Sequence, residues 1–252
     1  MLAFGVTGIA TVLYLVIGLP AFILSFLGLK KPMSWVIYRL AQLWAKSLIV
    51  ISGCDVKVEG RENIPRNGRV CFVGNHGSIF DVVLALAYIG CPFGFIAKKE
   101  LLLIPLLDLW IFLLGGLFID RKNMRKALKT INLGIRKIQK GGRMLIFPEG
   151  TRSKGRGLLP FKSGAIKLAT HSLAPIVPMA IWGSYDVFEK NYRVQPVPVR
   201  VVFCPPVITA NLSAEQRRHQ LADQVRDIIA AALDGERGMG NGEQGTGKSV
   251  LP

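Results

Sequence analysis

Acidic side chains are in short supply. Sixteen aspartates and glutamates stand against 32 lysines and arginines in 252 residues, a formal net charge of +16 and an isoelectric point near 10.1. The chain cannot neutralise that excess internally, so it calls for an anionic partner: nucleic acid, an anionic membrane surface or an acidic protein. Cysteine is also sparse. Cys54, Cys71, Cys91 and Cys204 have no paired spacing, which excludes a disulfide framework. Most of them adjoin apolar runs and read as small core residues in a reducing compartment. Neither CxxC nor HExxH occurs, so no metal is expected. Charge is missing altogether from Met1 to Leu29.

That uncharged stretch exceeds the roughly 20 apolar residues a helix needs to cross a bilayer. Pro20 interrupts it, and Lys30 and Lys31 follow at once. A secretory signal has its positive charge before the apolar run. The reverse order here predicts a retained anchor, with the following domain on the cytoplasmic side of the inner membrane. A second helix is expected over 34–52. Arg39, Gln42 and Lys46 form one polar stripe on it, and the rest is apolar and aromatic. Such a helix lies in the membrane interface, packs on the first helix, or is an ordinary core helix. The expected organisation is a membrane-anchoring pair of helices over 1–52, an α/β domain over 53–234 and a disordered, glycine-rich tail over 235–252.

From Asp55 the texture changes. Short strand-like runs (VKVEG, RVCFVG, PFGFIA, GLFIDR, RMLIF, APIVPMAI, VRVVFC) alternate with helical ones. One helix is expected from about Ile79 to Ile89. Another runs from Met124 to Lys140, with Met124, Ala127, Leu128, Ile131, Ile135 and Ile138 on one face and two glycines ending it. Ser213 opens a last helix, and Gln216 completes a capping box. This alternation predicts the α/β class: a central, mostly parallel or mixed sheet covered by helices, preceded by the two-helix anchor.

Between these runs lie the polar stretches. NHGSIFD (75–81) follows RVCFVG. Ser78 and Asp81 make an S-x-x-D signature that starts a helix, so His76 falls in the turn at the carboxyl end of a strand. Ligands of open α/β sheets sit there. Either Asp81 caps the helix and His76 has no role, or Asp81 accepts from one imidazole nitrogen and leaves the other as a base. Residues five apart do not share a face within one helix, but a turn before the helix removes that objection. FPEGTRS (147–153) leaves a strand through Pro148 and Gly150 and presents Glu149 and Arg152, a phosphate-binding fork or half of a solvated ion pair. Arg121 ends GLFIDR, and Lys98 and Lys99 end a third strand. If those strands are parallel, the cations converge on the edge that carries His76. A histidine base among phosphate-binding cations suggests a phosphorylated, hydroxyl-bearing substrate.

These residues resemble the glycerolipid acyltransferases, whose H-x4-D block is similar to NHGSIFD. GLFIDR looks like the family's second block, FPEGTRS like its third and VPMAI (177–181) like its fourth, in order across 75–181; FKSGA (161–165) also fits. Within the family, size and the apolar N-terminus resemble the bacterial enzymes that acylate 1-acyl-sn-glycerol-3-phosphate. The resemblance implies that His76 is general base on the 2-hydroxyl of lysophosphatidic acid, with Asp81 fixing its tautomer. It implies direct attack on an acyl thioester carried by coenzyme A or acyl carrier protein, with no further cofactor and no metal. Glu149, Gly150 and Thr151 shape the lysolipid site. Arg121 and Arg152 bind the phosphate, with Lys98 or Lys99 assisting.

Other features admit rival uses. LLLIPLLDLWIFLLGG (101–116) is a core helix, an acyl-tunnel wall or a membrane-dipping segment. The basic face of the 124–140 helix is a solvated surface, or it holds anionic lipid or an acidic carrier protein. GEQGTGKS (242–249) satisfies a P-loop pattern but has only three residues after it, too few for the helix the motif requires. Nucleic-acid binding lacks a recognisable module. The remaining alternatives are another lysolipid or glycerol-3-phosphate as acceptor, or a non-catalytic basic protein of membrane surfaces. His171 and His219 read as incidental.

Overall fold

The computed structural model describes residue 20 and residues 30–213, 215–216 and 220–235. Apart from Pro20, the expected anchor helix over 1–29 lies outside the described residues, as do His219 and the tail carrying GEQGTGKS. In chain order the elements are α1 (Lys30–Ser52), β1 (Asp55–Glu59), β2 (Val70–Gly74), α2 (Phe80–Tyr88), β3 (Gly94–Lys98), α3 (Leu107–Leu113), β4 (Leu117–Ile119), α4 (Met124–Gln139), β5 (Arg143–Ile146), α5 (Ser163–Ser172), β6 (Ile176–Trp182), β7 (Pro198–Phe203) and α6 (Leu221–Asp234).

The strands form one seven-stranded sheet in the order β1-β7-β6-β2-β5-β3-β4. β2, β3, β4, β5 and β6 run parallel, in register at Phe72 with Leu145 on one side and Val177 on the other. β7 pairs antiparallel with β6 and parallel with β1. The sheet is therefore mixed, and the carboxyl ends of five strands share one edge.

Strand periodicity divides the core in two. Val70 and Phe72 of β2 face a cluster that includes Tyr38, Ala41 and Ala45 of α1 and Phe80, Val83 and Leu84 of α2. Cys71 and Val73 face the other cluster, with Ile131, Ile135 and Ile138 of α4, Leu168 of α5 and Val225 of α6. β2 is buried at every residue, as a central parallel strand covered on both faces must be.

Three expectations change. Gln42, read as part of a polar stripe, is buried and donates to the Ala87 carbonyl at 3.1 Å. α1 thus packs one face on α2, with the Tyr38 hydroxyl accepting from Gly90 N–H at 2.8 Å, and keeps Trp35, Leu43, Val50 and Ile51 exposed on its outer side. Met124 and Leu128 of α4 are exposed, because only its later turns reach the sheet. The run 101–116 is not one core helix. Pro105 interrupts it, a 3-10 turn over Lys99–Leu103 precedes Leu106 in the left-handed region at φ 71°, and only Ile111 of α3 is buried. Leu102, Leu103, Ile104, Leu107 and Phe112 face outward, Leu103 at 82% exposure. The Ser213–Gln216 capping box forms as expected, with reciprocal bonds of 2.8 and 3.1 Å. Among the described residues, no helix is long and apolar enough to cross a membrane.

Candidate active site

The loops after β2 and β5 leave neighbouring strands, and each holds the other. The His76 backbone N–H donates to Glu149 Oε1 at 2.7 Å, and Leu159 N–H donates to Glu149 Oε2 at 3.3 Å. In return, Ser153 N–H donates to the His76 carbonyl at 2.7 Å and Lys154 N–H to the Gly77 carbonyl at 3.2 Å. Glu149 is therefore a buried internal brace. Burial pushes its carboxyl above the usual glutamate range, although the amide donors pull the other way. Behind the histidine, Asn75 acts as a short piece of strand. Its Nδ2 donates to the Ile181 carbonyl at 2.8 Å and its Oδ1 accepts from Ile181 N–H at 2.7 Å, which ties the end of β2 to β6.

His76 Nδ1 meets Asp81 Oδ2 at 2.8 Å, with Asp81 fully buried and the imidazole 16% exposed. The same Oδ2 accepts from Ser78 N–H at 2.9 Å, while Ser78 Oγ accepts from Phe80 N–H at 3.0 Å. One oxygen of Asp81 therefore serves both the turn into α2, through Ser78 N–H, and the imidazole. In the neutral ring, an acceptor at that position places the proton on Nδ1 and leaves the lone pair on Nε2. The ring stacks on Phe147, centroids 4.2 Å apart and planes 13° apart, so orientation is fixed by packing as well as by hydrogen bonding. Such an imidazole can take a proton from a hydroxyl placed against Nε2.

The cations do share this edge. β4 lies three strand positions from β2, roughly 14 Å at ordinary strand spacing, yet Arg121 reaches back to donate to the Gly150 carbonyl. Gly150 turns the loop at φ +70°, where other residues are strained, and a β-carbon there would crowd the Lys162 side chain at 3.0 Å. Thr151 is exposed beside it. Arg152 donates through Nη1 to Glu189. Lys99 is engaged by Asp120 at 2.7 Å, which holds that carboxyl below its usual range, and Lys98 lies 3.6 Å from Glu100. Lys162 and Glu189 were missed in the sequence. Lys162 sits in FKSGA, a stretch read only as a block; Glu189 belongs to no motif. Among the described residues, no group of three or more histidine, cysteine, aspartate or glutamate side chains could hold a metal ion.

Against known proteins, the family model described as "Acyltransferase" matches residues 55–182, more than half of the chain. A 1-acyl-sn-glycerol-3-phosphate acyltransferase of Borreliella burgdorferi is 30% identical over 78% of this chain and 80% of its own length. The protein of that name from Salmonella typhimurium is 35% identical over 72% and 76%. The solved 1-acyl-sn-glycerophosphate (LPA) acyltransferase PlsC of Thermotoga maritima superposes with a TM-score of 0.72 at 28% identity, covering 96% of this chain and 95% of that one.

Proposed function

This chain belongs to the acyltransferase family, and from that premise we propose that it moves an acyl chain from a thioester to the 2-hydroxyl of 1-acyl-sn-glycerol-3-phosphate, giving phosphatidic acid and a free thiol. The observation that carries the reading is His76 held through Nδ1 by a buried aspartate at 2.8 Å, beside a loop that presents Arg152. Nε2 takes the hydroxyl proton as the oxygen attacks the thioester carbonyl. The tetrahedral intermediate collapses, the carbon–sulfur bond breaks, and the imidazolium returns its proton to the departing sulfur. Asp81 stabilises the imidazolium between those steps. Arg121 and Arg152 hold the lysolipid phosphate, with Lys98 and Lys99 adding positive field, and Gly150 and Thr151 line the same mouth. Glu149 acts from beneath by bracing His76. The donor is an acyl group on coenzyme A or acyl carrier protein, and the chemistry calls on no resident cofactor.

The setting we infer is the cytoplasmic face of the inner membrane. Its support is the lipid nature of the acceptor and the outward Leu102, Leu103, Ile104 and Leu107, which leave the sheet at the edge that carries the histidine. An apolar tip beside exposed lysines suits a bilayer with anionic headgroups.

Thiol release from an acyl thioester, measured with and without lysophosphatidate, tests the function. Lysolipid-dependent release with phosphatidic acid as product is expected. Release with glycerol-3-phosphate alone would favour that acceptor instead. No release with any acceptor would leave a lipid-binding protein rather than an enzyme.

A further inference from the structure

Segment 183–195 follows β6 without regular structure, and its Glu189 enters the site from outside every motif. One carboxylate oxygen receives Arg152 Nη1, and the other receives the backbone N–H of Ile79 at 3.0 Å, at the start of α2. Glu189 is only 11% exposed by side chain, while Arg152 is 40% exposed. A largely covered carboxylate at a helix N-terminus is itself well placed, since the peptide dipoles favour negative charge there. An arginine has five N–H donors in a planar fork. Glu189 engages Nη1 and leaves the rest of the fork to meet an incoming anion.

We propose that Glu189 is the positioning residue for Arg152: it spans the helix that carries Asp81 and the loop that carries Arg152, and so sets the separation between the base and the cation that receives the lysolipid phosphate. The inference rests on Arg152 as phosphate ligand. A long side chain held before substrate arrives has less freedom to lose on binding. The bridge also explains why a residue with no motif is held between Arg152 and the start of α2. Arg152 is fixed by an acceptor that is itself fixed to α2, so movement of the lysolipid headgroup relative to His76 is restrained from both ends.

The test uses the full chain in mixed vesicles, with KM for lysophosphatidate, KM for the acyl thioester and kcat measured separately. In Glu189→Ala the lysophosphatidate KM rises about tenfold, as for loss of a hydrogen bond to a charged group, while the thioester KM stays put. Glu189→Gln, which keeps an acceptor for Ile79 N–H, restores part of the loss. Arg152→Ala raises the same KM, and adding Glu189→Ala to it raises KM no further, because the glutamate acts through the arginine. An unchanged or lowered lysophosphatidate KM in both Glu189 variants overturns the proposal, the lowered value meaning that the carboxylate competes with phosphate. Additive increases in the double variant, or equal increases in both KM values, overturn it as well. If Arg152→Ala alone leaves the lysophosphatidate KM unchanged, the phosphate assignment fails first and the positioning role falls with it.

Discussion

The loops after β2 and β5 and the segments after β3 and β4 emerge from the same edge of one sheet, yet they are built in opposite ways. In the inner pair, Asn75, Ser78, Asp81 and Glu149 are buried, and hydrogen bonds of 2.7–3.3 Å cross between elements. In the outer pair, Lys98 and Lys99 are about half exposed and pair with Glu100 and Asp120, and the adjoining leucines face outward. The difference follows from what each is asked to do. Proton transfer needs atoms within hydrogen-bond reach, so the histidine must be held on several sides. Attraction of a phosphate or a charged surface acts over about 8–10 Å at physiological salt and tolerates loose side chains.

That contrast can be broken most forcefully at its centre. His76→Ala should reduce kcat by about 10² to 10⁴ or more while thermal unfolding stays near that of the parent. Substantial turnover in the well-folded variant would remove the inner loops' claim to the chemistry. Asn75→Ala should cost about 2–4 kcal/mol of stability, because two hydrogen bonds vanish and Ile181 is left with buried unpaired groups; denaturant titration measures it. A loss below half a kcal/mol would mean that the inner region is not held as tightly as its hydrogen bonds suggest.

The outer region should respond weakly. Lys98→Ala and Lys99→Ala should each raise the lysophosphatidate KM less than about fivefold, as expected of exposed charges, and the effect should shrink with added salt. A salt-independent, hundredfold rise would place them in direct contact with the substrate. The smallest effect concerns Glu149. Its raised carboxyl binds a proton in the folded state at a pH where the unfolded chain has released it. Its favourable share of stability is therefore present below the ordinary glutamate value and is lost as pH rises through the raised one. Glu149→Gln should flatten that part of the stability–pH curve. A curve of unchanged slope would show that the buried carboxyl is not its source.

Much of this was legible in the residues because local pattern and tertiary role agree. β2, β5 and β6 read as apolar runs since they are covered on both faces, and S-x-x-D announced α2 since Ser78 Oγ accepts from Phe80 N–H while Asp81 accepts from Ser78 N–H. The placement of Arg121, Arg152, Lys98 and Lys99 at one sheet edge needed one assumption, parallel strands, which the sheet satisfies. What escaped notice depends on distant partners. Gln42 looks polar in any window, and its burial depends on a distant acceptor, the carbonyl of Ala87. The run 101–116 is apolar enough for a core, but Pro105 and the positive φ at Leu106 turn it outward. Glu189 carries no periodicity and no neighbouring signature; its meaning comes wholly from Ile79 and Arg152, 110 and 37 residues away.

The Asn75 clasp also sets a schedule. Its partner residue lies 106 positions further on, beyond His76, Asp81, Glu149 and Arg152. During synthesis every group named in the proton transfer is therefore made before the residue that fastens their loop, and Glu189 is made later still. The catalytic edge is closed by a strand that arrives after the residues that react. Its completion is thus a late event in the life of the nascent chain, tied to the docking of β6.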